Sequence, residues 1–299
     1  MSEYDFENWT AEEITRIQTG TNLKRPSDHQ SMFKYISLNS EESWDYLYRT
    51  LHNFELVGSG ALRLNDPFEL SPFIFDDLQP STIAAAVRHN DNSTLSGNKP
   101  RPLQEVFPDP EPYRRQARSF LDGVAARYRI IAFCERSDSG LLWSHYANSY
   151  QGACLHFLAK GFRWRRFHTL GYVAYSKYRP TYPLSLALSL SSKPGGPSVA
   201  VNATPLKRAE CDKILFFTKA EDWSYESEMR LVYDSEQSPN VVFHQDSLVS
   251  IITGPRFSAE SRQRLSDILK GSRYEKVALR NARLSTTTFS VEIDDNGGL

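Results

Sequence analysis

The stretch KAEDWSYESEMRLVYD, residues 219–234, decides how the rest of the chain is read. Its end, EMRLVYD, alternates polar and apolar residues and predicts a strand. If the whole segment is extended, alternation places Glu226, Glu228 and Arg230 on one face and Ser227 and Met229 on the other. Two carboxylates so close repel each other, so the arrangement needs a reason. A solvated strand edge is one, because edges often carry charge. A site is the other: aromatic residues crowd the glutamates in WSYESEM, and Arg230 can hold one carboxylate ionised. A partly desolvated carboxylate suits chemistry that stabilises positive charge developing on a sugar.

From this strand to the end of the chain the sequence reads mostly as strands: NVVFHQ, LVSIITG, KVALRNARLS and FSVEID. One helix interrupts them, SAESRQRLSDILKGS, capped by Ser258 and closed near Gly271. Towards the N-terminus, WTAEEITRI carries a capping box from Thr10 and Glu13, with Ile14 and Ile17 on one face. SMFKYISL reads as a strand, and NSEESWDYLYRTLHN as a helix with Trp44, Leu47, Tyr48 and Leu51 at helical spacing. PYRRQARSFLDGVAARY and PLKRAECDKILFFTKA read as helices; RIIAFCE, GACLHFLA and TLGYVAYS read as strands. Helices early and strands late, without βαβ alternation, predict an α+β fold with a mixed, mainly antiparallel sheet. Residues 1–30 read as an N-terminal helical extension and 31–299 as a single domain. Long loops are expected near residues 88–112 and 191–199, as lids or as unstructured connections.

Bulk properties exclude more than they assign. Among 299 residues 40% are hydrophobic and 24% charged, ordinary for a soluble globular chain. A formal net charge of −1 gives no overall argument for nucleic acid or a membrane surface. A local basic stretch, FRWRRFH, interleaves Arg163, Arg165 and Arg166 with Phe162, Trp164 and Phe167, a pattern able to grip phosphates and stack bases. Cys134, Cys154 and Cys211 form no CxxC pair, which argues against a disulfide framework and fits a reducing cytoplasm. The acidic opening MSEYDFENWT lacks an apolar signal core, and PLSLALSLSS is too short to cross a bilayer. Neither GxGxxG nor GxxxxGK[ST] occurs, against the commonest nucleotide-binding folds.

Three further clusters are candidates for chemistry. FKY places Lys34 and Tyr35 on a strand; its plain reading is a surface lysine beside a half-buried tyrosine. In LRLNDPFE, Asn65 and Asp66 can bond their own backbone while Pro67 fixes the dihedral, so Glu69 projects from a rigid bend. In LLWSHYANSYQGACLHF, Trp143, Ser144, His145 and Tyr146 follow a strand as an aromatic, hydroxyl-rich pocket, and His145 is a candidate acid or base. The plain alternative is a core tryptophan with a capping serine.

In their order, FKY, LNDPFE, WSHYANSYQGACLHF, WSYESEMRLVY and LVSIITGPRF resemble the bacterial domain-of-unknown-function family 2971 over residues 33–257. That family label names no reaction. A looser resemblance is to ADP-ribosyltransferase-like enzymes, which carry His or Arg on an early strand, Tyr or Ser on a middle strand, and a late Glu often ending an ExE pair. Lys34 and Tyr35, then Ser144 to Tyr146, then Glu226 and Glu228 fit that order, with lysine in the place of His or Arg. The resemblance implies NAD as substrate and no metal. Glu228 would stabilise the ribose oxocarbenium and Glu226 would position the acceptor. Tyr146 or Trp143 would stack on nicotinamide, and Lys34 or Arg230 would steady phosphate or ribose. The implied setting is a bacterial toxin or phage-defence effector with a protein or nucleic acid as acceptor. Two other readings stand beside it. One is a metal-dependent hydrolase or nuclease gathering Asp66, Glu69, Glu226, Glu228 and His145 around Mg²⁺ or Mn²⁺. The other is a sensor module that binds a nucleotide without turnover.

Overall fold

The computed structural model describes residues 23–60, 63–75, 111–162, 168–184, 189–191, 198–200 and 208–294. The expected helix at residues 10–17 lies outside them, as does most of the stretch 88–112. The described residues of Lys24–Arg63, Arg127–Tyr175 and Glu221–Leu299 form one compact unit, and those of Leu64–Ala126 and Ser176–Ala220 a second. The architecture is mixed α/β with a large, mainly antiparallel sheet.

That sheet belongs to the first unit. Its strands in chain order are β1 (Ser31–Ile36), β2 (Tyr128–Cys134), β3 (Ala153–Leu158), β4 (His168–Tyr172), β5 (Glu228–Asp234), β6 (Leu248–Thr253), β7 (Ala278–Leu284) and β8 (Val291–Asp294). In space they run β8-β7-β6-β3-β1-β2-β5-β4. Every neighbouring pair is antiparallel except β6 and β7, which the helix α3 (Ala259–Leu269) separates in sequence. Two other α-helices among the described residues of the unit are α1 (Glu41–His52) and α2 (Gly140–Tyr146). The Ser40 hydroxyl accepts the Ser43 amide of α1 and the Ser43 hydroxyl accepts the Ser40 amide, a reciprocal cap. Ser258 caps α3, and Gly271 follows its C-terminus at φ 73, the left-handed stop that glycine adopts freely.

The strand period sorts the sheet into two faces. Met32, Ile131, Phe133, Leu155, Phe157, Met229, Leu231 and Ile251 form the main core with Trp44, Leu47 and Leu51 of α1 and Leu265 and Leu269 of α3. Burying each large side chain here contributes about 1.5–3 kcal/mol. The other face meets α2, where Trp143 and Ala147 pack on Cys154, Ile252, Ala282 and Val291, with Phe33 and Tyr35 at the margin. Spacing in α1 pointed inward at Tyr48, which is 47% exposed. The inward place goes to Thr50, whose hydroxyl donates to the Tyr46 and Glu55 carbonyls.

In the second unit, Phe73–Phe75 pairs in parallel with Thr181–Pro183. Ser189–Ser191 pairs antiparallel with Ser198–Ala200, so the stretch expected as a loop at 191–199 is framed by paired strand ends. Helices Glu111–Arg127 and Arg208–Phe216 lie in the segments read as helices, except that Thr218–Ala220 at the end of the second segment is a strand, and residues 111–112 open a helix rather than close a loop. Cys134, Cys154 and Cys211 are buried thiols. Among the described residues no helix is long and apolar enough to cross a membrane.

Gly152 and Gly254 in the first unit are dictated by space. A Cβ on Gly152 would collide with the Ile36 carbonyl oxygen, and one on Gly254 with the Tyr150 carbonyl oxygen. The amide of Gly254 donates to Gly152 at 2.9 Å, so the QG and GP segments lie backbone against backbone. Gly152→Ala and Gly254→Ala are each expected to lower the unfolding free energy by about 1–3 kcal/mol, read as an earlier urea midpoint. Gly123→Ala is the contrasting case: nothing lies within 4 Å of the added Cβ in its helix, so a gain of about 0.5–1 kcal/mol is expected.

Candidate functional site

Strand β5 starts at Glu228, and what precedes it is not extended. Glu221–Glu226 is a 3-10 turn, and Ser227 links it to the strand at φ 44, in the left-handed region that non-glycine residues seldom occupy. Glu226 therefore leaves the strand face that alternation assigned to it, while Glu228 and Arg230 keep theirs. Glu228 is fixed on both sides of its peptide: its amide donates to the Tyr175 hydroxyl at 2.8 Å, and its carbonyl accepts the Val173 amide at 3.0 Å.

The side chains of Glu228 and Arg230 form a fork. Arg230 Nε donates to Glu228 Oε1 at 2.7 Å and Arg230 NH2 to Oε2 at 3.0 Å, with the arginine side chain 1% and the glutamate 5% exposed. Residues two apart on a strand share a face, and the long arginine folds back along it to meet both carboxylate oxygens. Glu226 is equally buried, and its Oε1 accepts the Tyr146 hydroxyl at 2.5 Å. Burial, and then the negative charges of Glu228 and Glu226, push the Tyr175 phenol above its ordinary range. The same two carboxylates act on Cys134, whose thiol burial drives up to about 12; it donates to the Phe33 and Arg136 carbonyls. Cys134 is thus a neutral neighbour of the site rather than a nucleophile.

The sequence candidates divide accordingly. Glu226, Glu228, Arg230 and Tyr146 are linked here by two hydrogen-bonded pairs beside Tyr175. Ser144 to Tyr146 lie on helix α2, not on the middle strand that the transferase pattern implies. His145 is exposed, its ring 6.5 Å from that of Tyr225 and 6.4 Å from that of Tyr146. Trp143 is fully buried, packed edge-on against Tyr35 at 5.1 Å and donating to the Ser137 carbonyl at 2.7 Å. Its ring belongs to the core and offers no free face for nicotinamide. Ser144 does not cap the helix; Ser139 does, accepting the Leu142 amide at 3.4 Å.

Lys34 and Tyr35, adjacent in sequence, point to opposite faces of β1. Tyr35 donates to the Arg136 carbonyl at 3.1 Å. Lys34 Nζ lies 3.5 Å from the Ala132 carbonyl oxygen and 6.0 Å from the centre of the Tyr46 ring. Registers Phe33↔Cys134 and Cys134↔Glu228 put Glu228 on the Phe33 face, so Lys34 is on the far side of the sheet from it. Burial lowers the Lys34 ammonium to about 8, partly opposed by Cys134 and Glu228.

In the second unit Asn65 is exposed, and Asp66 fixes its own turn, with Oδ1 accepting the Phe68 amide at 2.8 Å. Glu69 is engaged by Lys219 at 3.4 Å, both side chains buried. Among the described residues no three His, Cys, Asp or Glu side chains group where they could hold a metal ion. Arg163, Arg165 and Arg166 lie outside the described residues. Sequence reasoning missed Tyr175, because TLGYVAYS reads as a plain strand and its partner lies 53 positions away. Compared with known proteins, the chain matches no family model, no curated protein and no solved structure.

Two expectations follow from this electrostatics. Arg230→Leu leaves the Glu228 carboxylate buried without its fork and is expected to cost about 3–5 kcal/mol of stability in urea unfolding. Replacing both residues by leucine should recover at least half of that loss. The second concerns Lys34, whose folded value of about 8 lies below its ordinary 10.5. Between these pH values the unfolded chain holds a proton that the folded chain has released, so this amine makes stability fall as pH is lowered from 10.5 to 8. Comparison of unfolding free energies across that window should show a shallower dependence in Lys34→Met.

Proposed function

We propose that this chain is an NAD-directed transferase or glycohydrolase of ADP-ribosyltransferase-like chemistry, with Glu228 as the charge that faces the reacting ribose. The observation that carries the reading is the pair of buried carboxylates at the start of β5. Glu228 is forked by Arg230, and Glu226 is bonded to Tyr146. A group that stabilises an oxocarbenium ion has to be ionised and held still, and the guanidinium fork supports both.

In this reading the bond between nicotinamide and ribose C1′ breaks, and nicotinamide leaves with the bonding electron pair. The ribose carries the positive charge, which Glu228 stabilises from its fixed position. An acceptor, be it water, protein or nucleic acid, then attacks C1′ and gives up a proton, with Glu226 and the Tyr146 hydroxyl positioned to orient it. Arg230 holds Glu228. His145, exposed beside Tyr225 and Tyr146, is the side chain of this cluster open to an incoming acceptor. Trp143 and Lys34 leave the mechanism, the first because it is core and the second because it is on the other face. The motif order that resembles family 2971, and the setting of a cytoplasmic toxin or phage-defence effector, belong to this proposal as analogy.

The test is release of nicotinamide from NAD by the purified chain, followed by chromatography with and without EDTA. Release that resists EDTA and falls at least a hundredfold in Glu228→Gln, with circular dichroism unchanged, is the expected result. Turnover within a few-fold of the parent in Glu228→Gln removes Glu228 as the stabilising charge, and loss of turnover in EDTA transfers the reading to a metal-dependent reaction.

A further inference from the structure

Away from the carboxylates, the face of the sheet that bears Phe33 holds a second set of polar side chains. Strands β1, β3 and β6 are neighbours, with registers Phe33↔His156 and Ser250↔His156. Those pairings bring Ser31, Phe33, His156 and Ser250 to one face. The Ser31 hydroxyl lies 2.9 Å from His156 Nε2, and the Ser250 hydroxyl lies 3.4 Å from His156 Nδ1. The Phe33 ring stacks on the imidazole with centroids 4.5 Å apart and planes 24° from parallel, which fixes the ring plane. Ser250 is fully buried, whereas Ser31 and His156 are partly open to solvent.

Burial, and then the charge of Arg280, lowers His156 to about 4, so the imidazole is neutral at physiological pH. A neutral imidazole has one donor and one acceptor nitrogen. With its proton on Nδ1 it donates to the buried Ser250 oxygen, and Nε2 accepts the Ser31 hydroxyl. This is the order nucleophile, base and orienting group that activates a serine, recognised by geometry and roles rather than by spacing in sequence. None of the three residues takes part in the NAD reading.

We propose that Ser31, His156 and Ser250 form a second, nucleophilic site that accepts short-chain carboxylic esters. Ser31 and His156 are partly open to solvent while Ser250 is buried behind them, so an ester reaches the serine–imidazole pair from the solvent side. Ser31 Oγ bonds to the acyl carbon as its proton moves to His156 Nε2. The ester C–O bond breaks, and the departing alkoxide takes that proton. Water, deprotonated by His156, then attacks the acyl-serine, releases the acid and restores Ser31.

The experiment is to treat the full chain with a fluorophosphonate, which phosphonylates an activated serine with loss of fluoride, and to locate the label by peptide mass spectrometry. The same samples are assayed for release of p-nitrophenol from p-nitrophenyl acetate. The expected result is a label on Ser31 that disappears in Ser31→Ala and forms at least tenfold more slowly in His156→Gln. Ester hydrolysis should fall in parallel, with a smaller decrease in Ser250→Ala that Ser250→Thr restores. An unlabelled Ser31 in the unsubstituted protein overturns the proposal without reference to any variant. So does p-nitrophenol release that is equal in the parent and a folded Ser31→Ala.

Discussion

The buried Glu228–Arg230 fork constrains the rest of the sheet. All seven residues of β5 are buried, so the strand meets protein on both of its faces. Met229, Leu231 and Tyr233 enter the main core, while Glu228 and Arg230 occupy the opposite side. Removing two charges from water costs several kcal/mol for each ion, and only good geometry with satisfied hydrogen bonds offsets it. A slip of β5 by one residue would drive both charges into the face built from Phe133, Leu155 and Phe157 and leave the apolar set outside. The ion pair therefore selects one register between β2 and β4, and β2 in turn fixes β1 through Phe33↔Cys134.

Much of this fold was legible along the chain and little of it across the chain. EMRLVYD, LVSIITG and SMFKYISL read locally as strands, α1 announces itself through helical spacing and α3 through its Ser258 cap. What no local pattern contains is that β1 lies between β3 and β2, because those pairings join residues more than a hundred positions apart, Ser31↔Leu158 among them. Helical spacing also misled at Tyr48, whose inward place Thr50 takes. A threonine hydroxyl that bonds two carbonyls can take a buried helical position, while a tyrosine stacks on His52 outside. The short strands Ser189–Ser191 and Ser198–Ala200 sit in a serine- and proline-rich stretch whose composition reads as loop.

At the site, period two was the informative rule wherever the chain is extended. It joins Glu228 to Arg230, and it separates Lys34 from Tyr35, since neighbours on a strand face opposite ways. The rule stops at Ser227, where the chain leaves the strand region, and Glu226 reaches Tyr146 from a 3-10 turn instead. On α2 Trp143 is buried in the core, while Tyr146 at the end of the helix reaches Glu226, a division that a run of aromatics in sequence conceals. His156 was invisible within GACLHFLA because the serine it bonds lies 125 positions earlier.

Both ends of the Tyr146–Glu226 hydrogen bond are anchored by backbone in an uncommon conformation. After Tyr146 come Asn148, Ser149 and Tyr150 at φ 46, 50 and 73, and after Glu226 comes Ser227 at φ 44. Positive φ at a non-glycine residue costs on the order of 1 kcal/mol or more, so such a run persists only where the surroundings over-determine it. Here they do. The Ser149 and Tyr150 amides return to the Ser144 and Trp143 carbonyls, and the Arg256 amide donates to the Tyr150 carbonyl. Gly254 lies so close to that carbonyl that no side chain fits. On the other side, the Ser227 carbonyl accepts the Glu135 amide at 3.2 Å, which ties the left-handed residue to the end of β2. A turn needed only to reverse the chain could use glycine and avoid this cost. Strain held by rigid packing on both sides of one carboxylate–phenol contact fixes the Tyr146 hydroxyl and the Glu226 carboxylate relative to each other before anything binds, which is the preorganisation that a reacting site requires.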